Sequence, residues 1–158
     1  ADHEVFLANL AAAGVADRIR HVRQPSQEAH DDVPGEIDVL YIDGAHRYGP
    51  ARDDIRSWVD RVAPGGVMLI HDSFSSLGVT LALVVELFTS GSFVYEGRSG
   101  SMTQYRRRSV GLRGRATNLV GQLASLPWFV RNLIVKGLIV AKLGRLTRLL
   151  GGNGYWPY

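Results

Sequence analysis

Two short stretches of this 158-residue chain set a carboxylate near an imidazole: Asp43-Gly44-Ala45-His46 and His71-Asp72-Ser73. Each ends an apolar run, Glu36 to Asp43 in the first case and Val67 to Ile70 in the second. Such runs read as parallel strands covered on both faces. In doubly wound sheets, ligands bind beyond the C-terminal strand ends. Neighbouring strands lie about 5 Å apart, so Asp43 and Asp72 can converge on one cation or one hydroxyl. Asp-Gly lets the backbone turn sharply while the carboxylate faces the crevice. Two carboxylates and two histidines offer oxygen and nitrogen ligands, and His46 or His71 offers a base in the neutral range.

The elements that must position these groups follow from spacing. Residues 5–13 have helical spacing and good helix formers, closed by Gly14. Arg18 to Val22 alternates and predicts a short strand. Gln24 to His30 predicts a turn into a short helix with Ser26 as N-cap. Pro50 to Val62 predicts an amphipathic helix, with Ile55, Trp58, Val59 and Val62 turned inward. Pro64-Gly65-Gly66 breaks it before the strand at Val67, and Leu77 to Phe88 is a further apolar helix. Ser92 to Gly97 and Ser101 to Arg107 predict a hairpin through Arg98-Ser99-Gly100. This order predicts an α/β fold, a mostly parallel sheet closed by an antiparallel edge hairpin.

Composition narrows the class. The chain has no cysteine, which rules out disulfides, thiol nucleophiles and thiolate metal sites within it. Its first residues lack the basic stretch of a leader, and it has no run of 18 uncharged apolar residues, so neither a signal peptide nor a transmembrane helix is expected. These features suit a cytoplasmic protein. The net charge of +3 hides an asymmetry: residues 1–96 hold all 15 acids and 7 Lys/Arg, whereas residues 97–158 hold 11 Lys/Arg and no acid. That division predicts a basic tail that neutralises its own acidic domain or a surface that meets phosphates.

The stretch IDVLYIDGAHRYGPARDDIRSWVDRVAPGGVMLIHDSF resembles the post-cofactor half of class I S-adenosylmethionine-dependent methyltransferases. More narrowly, it is similar to small-molecule and sugar O-methyltransferase-like families with a YIDGAH…PGG…HD signature. Continued through the basic C-terminal helix, it resembles an actinobacterial branch associated with surface polysaccharide synthesis. The resemblance implies a Rossmann-like methyltransferase fold with strand order 3-2-1-4-5-7-6. It places Asp43 near the methionine end of the cofactor, with Gly44 beside it and Ser26 against the adenine. It makes His46 the base and lets Asp43 and Asp72 share Mg2+ or another divalent metal. The implied activity is methylation of an oxygen on a small molecule or a lipid-linked sugar.

The family's Gly-x-Gly loop is missing ahead of Val5, and Asp2-His3 begins just after the second strand. The expectation is therefore a partial fold, strands 3 to 7 without strands 1 and 2, spanning residues 1–108. A piece of this kind binds the cofactor poorly, and the natural protein is expected to be longer or its reading frame decayed or mis-started. Structural alternatives stand beside each role. Asp43 can serve as a turn carboxylate, Asp72 as a cap for the helix near Leu77, and His46 as a hydrogen-bonding residue across the crevice. His3, His21 and His30 read as solvent-facing, and Asp53-Asp54 as a solvated helix face paired with Arg56 or Arg61.

Residues 109–158 form a basic, amphipathic helical extension in this reading. From Leu123 to Leu150 there are five basic residues and no acid. At about 100° per residue, Arg131, Lys142, Arg145 and Arg148 share one side, and Phe129, Leu133, Ile139, Val140, Leu143, Leu146 and Leu150 the other. Lys136 breaks the pattern. Such a helix suits an anionic membrane surface, with Trp128 near the headgroups, or packing against the rest of the domain or a homodimer partner. Nucleic acid is the poorest match, because aliphatics rather than stacking aromatics separate the cations. The alternative to an enzyme is a non-catalytic membrane-peripheral or scaffolding remnant.

Overall fold

A computed structural model describes residues 2–152 and Tyr155. Most of the Gly- and aromatic-rich segment 151–158, the end of the basic extension expected over 109–158, lies outside the described residues. The chain divides into two compact units, residues 1–34 and residues 35–158.

The first unit holds α1, Asp2–Ala12, followed by three short 3-10 turns at Ala16–Arg18, Ser26–Glu28 and His30–Asp32. Gly14, at φ 65°, supplies the left-handed residue that ends α1. Arg18 to Val22, expected as a strand, pairs with no other strand among the described residues. A strand is defined by its neighbour, and alternation without one leaves extended chain. Ser26 does not cap a helix. It is the first residue of its turn, which follows Pro25 and has no side-chain cap bond. Asp32 accepts hydrogen bonds from Arg20 at 2.9 Å and Gln24 at 2.7 Å and ties the later turns to the extended stretch.

The second unit is built on four strands: β1 Ile37–Ile42, β2 Val62–Ile70, β3 Phe93–Ser99 and β4 Met102–Arg107. Their order in the sheet is β1-β2-β4-β3, with β1 and β2 parallel and β4 antiparallel to both neighbours. This mixed sheet is compatible with a Rossmann-like methyltransferase fold. Helix α2, Tyr48–Trp58, makes the crossover from β1 to β2, and α3, Leu77–Glu86, follows β2. One face of the sheet carries the core. Ile42, Met68, Ile70, Phe93 and Tyr105 pack there against Ala51 and Ile55 of α2 and Val79, Ala82 and Leu83 of α3. The opposite face is more open than a strand covered on both sides would be. Val39 and Tyr41 of β1, which alternate with Leu40 and Ile42 of the core face, are exposed there.

Pro64-Gly65-Gly66 does not precede the second strand as expected; it lies inside it. The β1–β2 register jumps from Ile37↔Val62 to Val39↔Val67, so the three residues bulge out between paired positions. Gly65 takes φ 85° there. A Cβ on Gly66 would stand 2.9 Å from the Ala63 carbonyl oxygen and 3.0 Å from that of Asp38, so only glycine fits the close approach.

Beyond β4 run α4, Leu112–Leu123, and α5, Leu126–Val140, then a 3-10 segment at Gly144–Leu150. The single amphipathic helix expected over Leu123–Leu150 is thus broken, at Ser125 and again near Lys142, whose φ of 61° no α-helix accepts. Buried amides fix these helices to the fold. Asn118 accepts from the Tyr95 N–H and donates to the Phe93 carbonyl, while Gln122 accepts from the Tyr105 hydroxyl at 2.7 Å. The half-buried Trp128 ring meets the guanidiniums of Arg98 and Arg131, 4.6 and 4.7 Å from its centre.

Tyr105→Phe removes the partner of the buried Gln122 side-chain oxygen. The variant is expected to lose about 1–3 kcal/mol of stability in urea unfolding. A loss below a few tenths would mean that the buried hydrogen bond contributes nothing.

Candidate functional site

Parallel pairing of β1 with β2 continues one step past both strands. The His71 N–H donates to the Ile42 carbonyl at 2.9 Å, so the two strand ends stop side by side. Asp43 and His71 therefore face each other, His71 Nδ1 lying 3.3 Å from the Asp43 carboxylate. His46, in the loop that enters α2, reaches back across the crevice. Its Nε2 lies 2.8 Å from the Asp72 carboxylate, which is 5% exposed. His71 Nδ1 stands between the two carboxylates, with Asp72 at 3.7 Å. The structure brings Asp43, His46, His71 and Asp72 together, as the sequence suggested.

Asp72 does not cap α3. Ser76 occupies the cap position without a side-chain cap bond, and the Asp72 carboxylate turns to His46. That orientation depends on a strained turn. Asp72 and Phe74 both lie in the left-handed region, at φ 55° and 56°, which costs of order 1 kcal/mol or more for each L-residue. The surroundings over-determine the turn. Ser73 Oγ donates to the Ile70 carbonyl, the Phe74 N–H donates to Thr80 Oγ1, and the Ser75 and Ser76 N–H groups both donate to the Asp72 carbonyl. Helix α5 clamps it from outside: Asn132 donates to the Phe74 carbonyl at 3.0 Å and Lys136 to that of Ser75 at 2.7 Å.

The His46 loop is held as firmly. Ser76 Oγ donates to the His46 carbonyl at 2.9 Å. Gly78, in the first turn of α3, packs so closely that a Cβ there would clash with the His46 carbonyl oxygen and stand 2.6 Å from the Tyr48 nitrogen. On the other side, Tyr41 donates to Asp43 at 3.0 Å. Partial desolvation, then the carboxylates of Asp43 and Asp72, hold the Tyr41 phenol above its ordinary range, so it stays a neutral donor. Burial pushes the Lys136 ammonium down from its usual value, while nearby Asp72 pulls it back up.

Sequence reasoning passed over Tyr41, Asp54 and Lys136. Asp54 is half-buried rather than a solvated face, its carboxylate lying 2.6 Å from where a Gly44 Cβ would be. Arg56 approaches Glu86 at 3.9 Å, and Arg61 donates to the Gly35 carbonyl. The one available signal for Lys136 was its departure from the amphipathic pattern. Of the other histidines, His3 and His21 are not free of contacts, their rings lying 5.0 Å apart, and His21 also meets Phe6.

For a methionine-derived sulfonium cofactor, the residues of this unit offer one carboxylate. The half-exposed Asp43 carboxylate can accept from an ammonium group. The recess beside it, lined by Asp43, Gly44, His46, Asp54 and His71, has a cavity volume of about 10 Å3, room for about one water molecule. The space beside Gly44 is taken by Asp54. Ser26 belongs to the other unit. For a metal, no group of three or more His, Asp or Glu side chains suited to an ion occurs among the described residues.

A family model described as a methyltransferase domain matches residues 1–73, a span that includes both strand ends and stops just after Asp72. The match supports a methyltransferase family. An uncharacterized protein of Sinorhizobium fredii, y4gI, is 34% identical over 55 residues, which are 34% of this chain and 6% of that protein. The chain thus spans a small fraction of that relative's length.

Gly78→Ala forces apart α3 and the His46 loop. It is expected to destabilise the protein by about 1–3 kcal/mol and to speed amide hydrogen exchange across residues 43–48. Unchanged exchange there would show that the close approach does not hold the loop.

Proposed function

We propose that the crevice at the ends of β1 and β2 is the acceptor-activating part of an S-adenosylmethionine-dependent methyltransferase, acting on an oxygen of a small molecule or sugar. The observation that carries this reading is the pairing of His46 with buried Asp72 at 2.8 Å, inside the span matched by the methyltransferase family model. An ionised carboxylate only accepts hydrogen bonds, so Asp72 keeps the proton of His46 on Nε2. Nδ1 is then the lone-pair nitrogen that can take the proton of an acceptor hydroxyl. Asp72 fixes the imidazole's tautomer and aim, and the clamped turn fixes Asp72.

The cofactor supplies an electrophilic methyl group on a positively charged sulfur. Asp43, whose carboxylate is half-exposed, would hold its ammonium end. Tyr41 keeps the Asp43 carboxylate in place by a hydrogen bond, with the His71 ring 3.3 Å from it. What the protein adds is position and proton removal, the two means by which displacement at a methyl group is accelerated without covalent catalysis. Acceptors joined to a lipid carrier fall within the same chemistry.

S-adenosylhomocysteine titrated by calorimetry into this chain, and into a longer form from its own genomic locus, tests the reading. Binding is expected to the longer form, and Asp43→Ala is expected to weaken it about 10- to 100-fold through loss of a charged hydrogen bond. In methyl-transfer assays of the longer form, His46→Ala should lower kcat about 10²- to 10⁴-fold and leave S-adenosylhomocysteine affinity unchanged. Binding to neither form would overturn the proposal.

A further inference from the structure

We infer that the outward face of α4 and α5 docks on an anionic lipid bilayer, lying in its interface. Between Ala116 and Ala141 every exposed residue is uncharged. Val120 and Leu123 of α4, and Val130 and Ile134 of α5, lie at helical spacing within their own helices and are 65%, 44%, 52% and 48% exposed, with Leu133 and Val140 beside the latter pair. Contiguous apolar surface of this kind marks an interaction site in a folded protein. The stretch Leu112–Val140 is long and apolar enough to cross a membrane by length and composition, and its most apolar window is 17% buried.

The opposite face decides how it meets lipid. Asn132 and Val135 are buried there, and Asn132 and Lys136 are hydrogen-bonded to the Phe74 and Ser75 carbonyls. A helix tied along one side to a folded domain cannot be ringed by hydrocarbon, so it lies along the bilayer rather than across it. Charge selects the occupant. Exposed Arg113, Lys142, Arg145 and Arg148 stand at the two ends of the apolar strip, and residues 97–158 hold no acid. A second copy laid on this face would set cation against cation with no carboxylate from this part of either chain to neutralise them. Lipid phosphates supply that charge, and the apolar side chains enter the boundary below them. This face differs from the one expected from a single helix over Leu123–Leu150: Arg131 and Lys136 turn inward, and the cations gather at the ends.

Co-sedimentation of the full chain with vesicles tests the inference. The chain should bind vesicles of phosphatidylcholine and phosphatidylglycerol in equal parts, not phosphatidylcholine alone, and high salt should release it. Val130→Asp with Ile134→Asp, both at exposed positions, should abolish binding while leaving the circular dichroism spectrum unchanged. Lys142→Gln and Arg145→Gln should each weaken binding roughly fivefold. Failure to bind anionic vesicles at low salt would overturn the inference. So would binding that survives the double aspartate variant, or a dimer in light scattering that this variant splits while vesicles stay unbound.

Discussion

The crevice depends on the parallel register of β1 and β2. Because Ile42 pairs with Ile70 and the His71 amide still bonds to the Ile42 carbonyl, both strands end at the same level. A slip of one residue would invert every side chain between the faces of the sheet. It would carry Asp43 away from His71 and move Ile42 out of the core. The buried side chains that hold the register, Ile42, Met68 and Ile70, are thus the supports of the chemistry beyond them. The bulge at Pro64-Gly65-Gly66 absorbs the mismatch at the other end, where Ile37 pairs with Val62.

The second constraint is conformational strain held by polar clamps. Two L-residues with positive φ within three positions, Asp72 and Phe74, persist because their neighbours leave the turn no cheaper arrangement. Thr80, Asn132 and Lys136 satisfy its backbone from two different helices. The basic C-terminal segment is therefore part of what shapes the crevice.

Much of this was legible in the sequence. The apolar runs before Asp43 and His71 marked adjacent strands, and their polar ends marked the crevice, although one face of the first strand is exposed rather than covered. The hairpin of β3 and β4 was equally plain. What escaped detection depends on partners distant in sequence. Alternation at Arg18–Val22 predicted a strand, but pairing is a property of two segments. Pro64-Gly65-Gly66 read as a breaker, because a bulge is visible only against the opposing strand. The helical wheel over Leu123–Leu150 assumed one unbroken helix, and so missed that Lys136, the residue off the pattern, was the one turned towards Asp72 and the Ser75 carbonyl.

The central claim is that buried Asp72 fixes the tautomer of His46 and leaves Nδ1 as the base. Nitrogen-15 NMR of the imidazoles reads this directly. With Asp72 in place, His46 should show its proton on Nε2 at neutral pH, and Asp72→Ala should release it to a mixture of tautomers. A His46 protonated on Nδ1, or one indifferent to Asp72→Ala, would contradict the account.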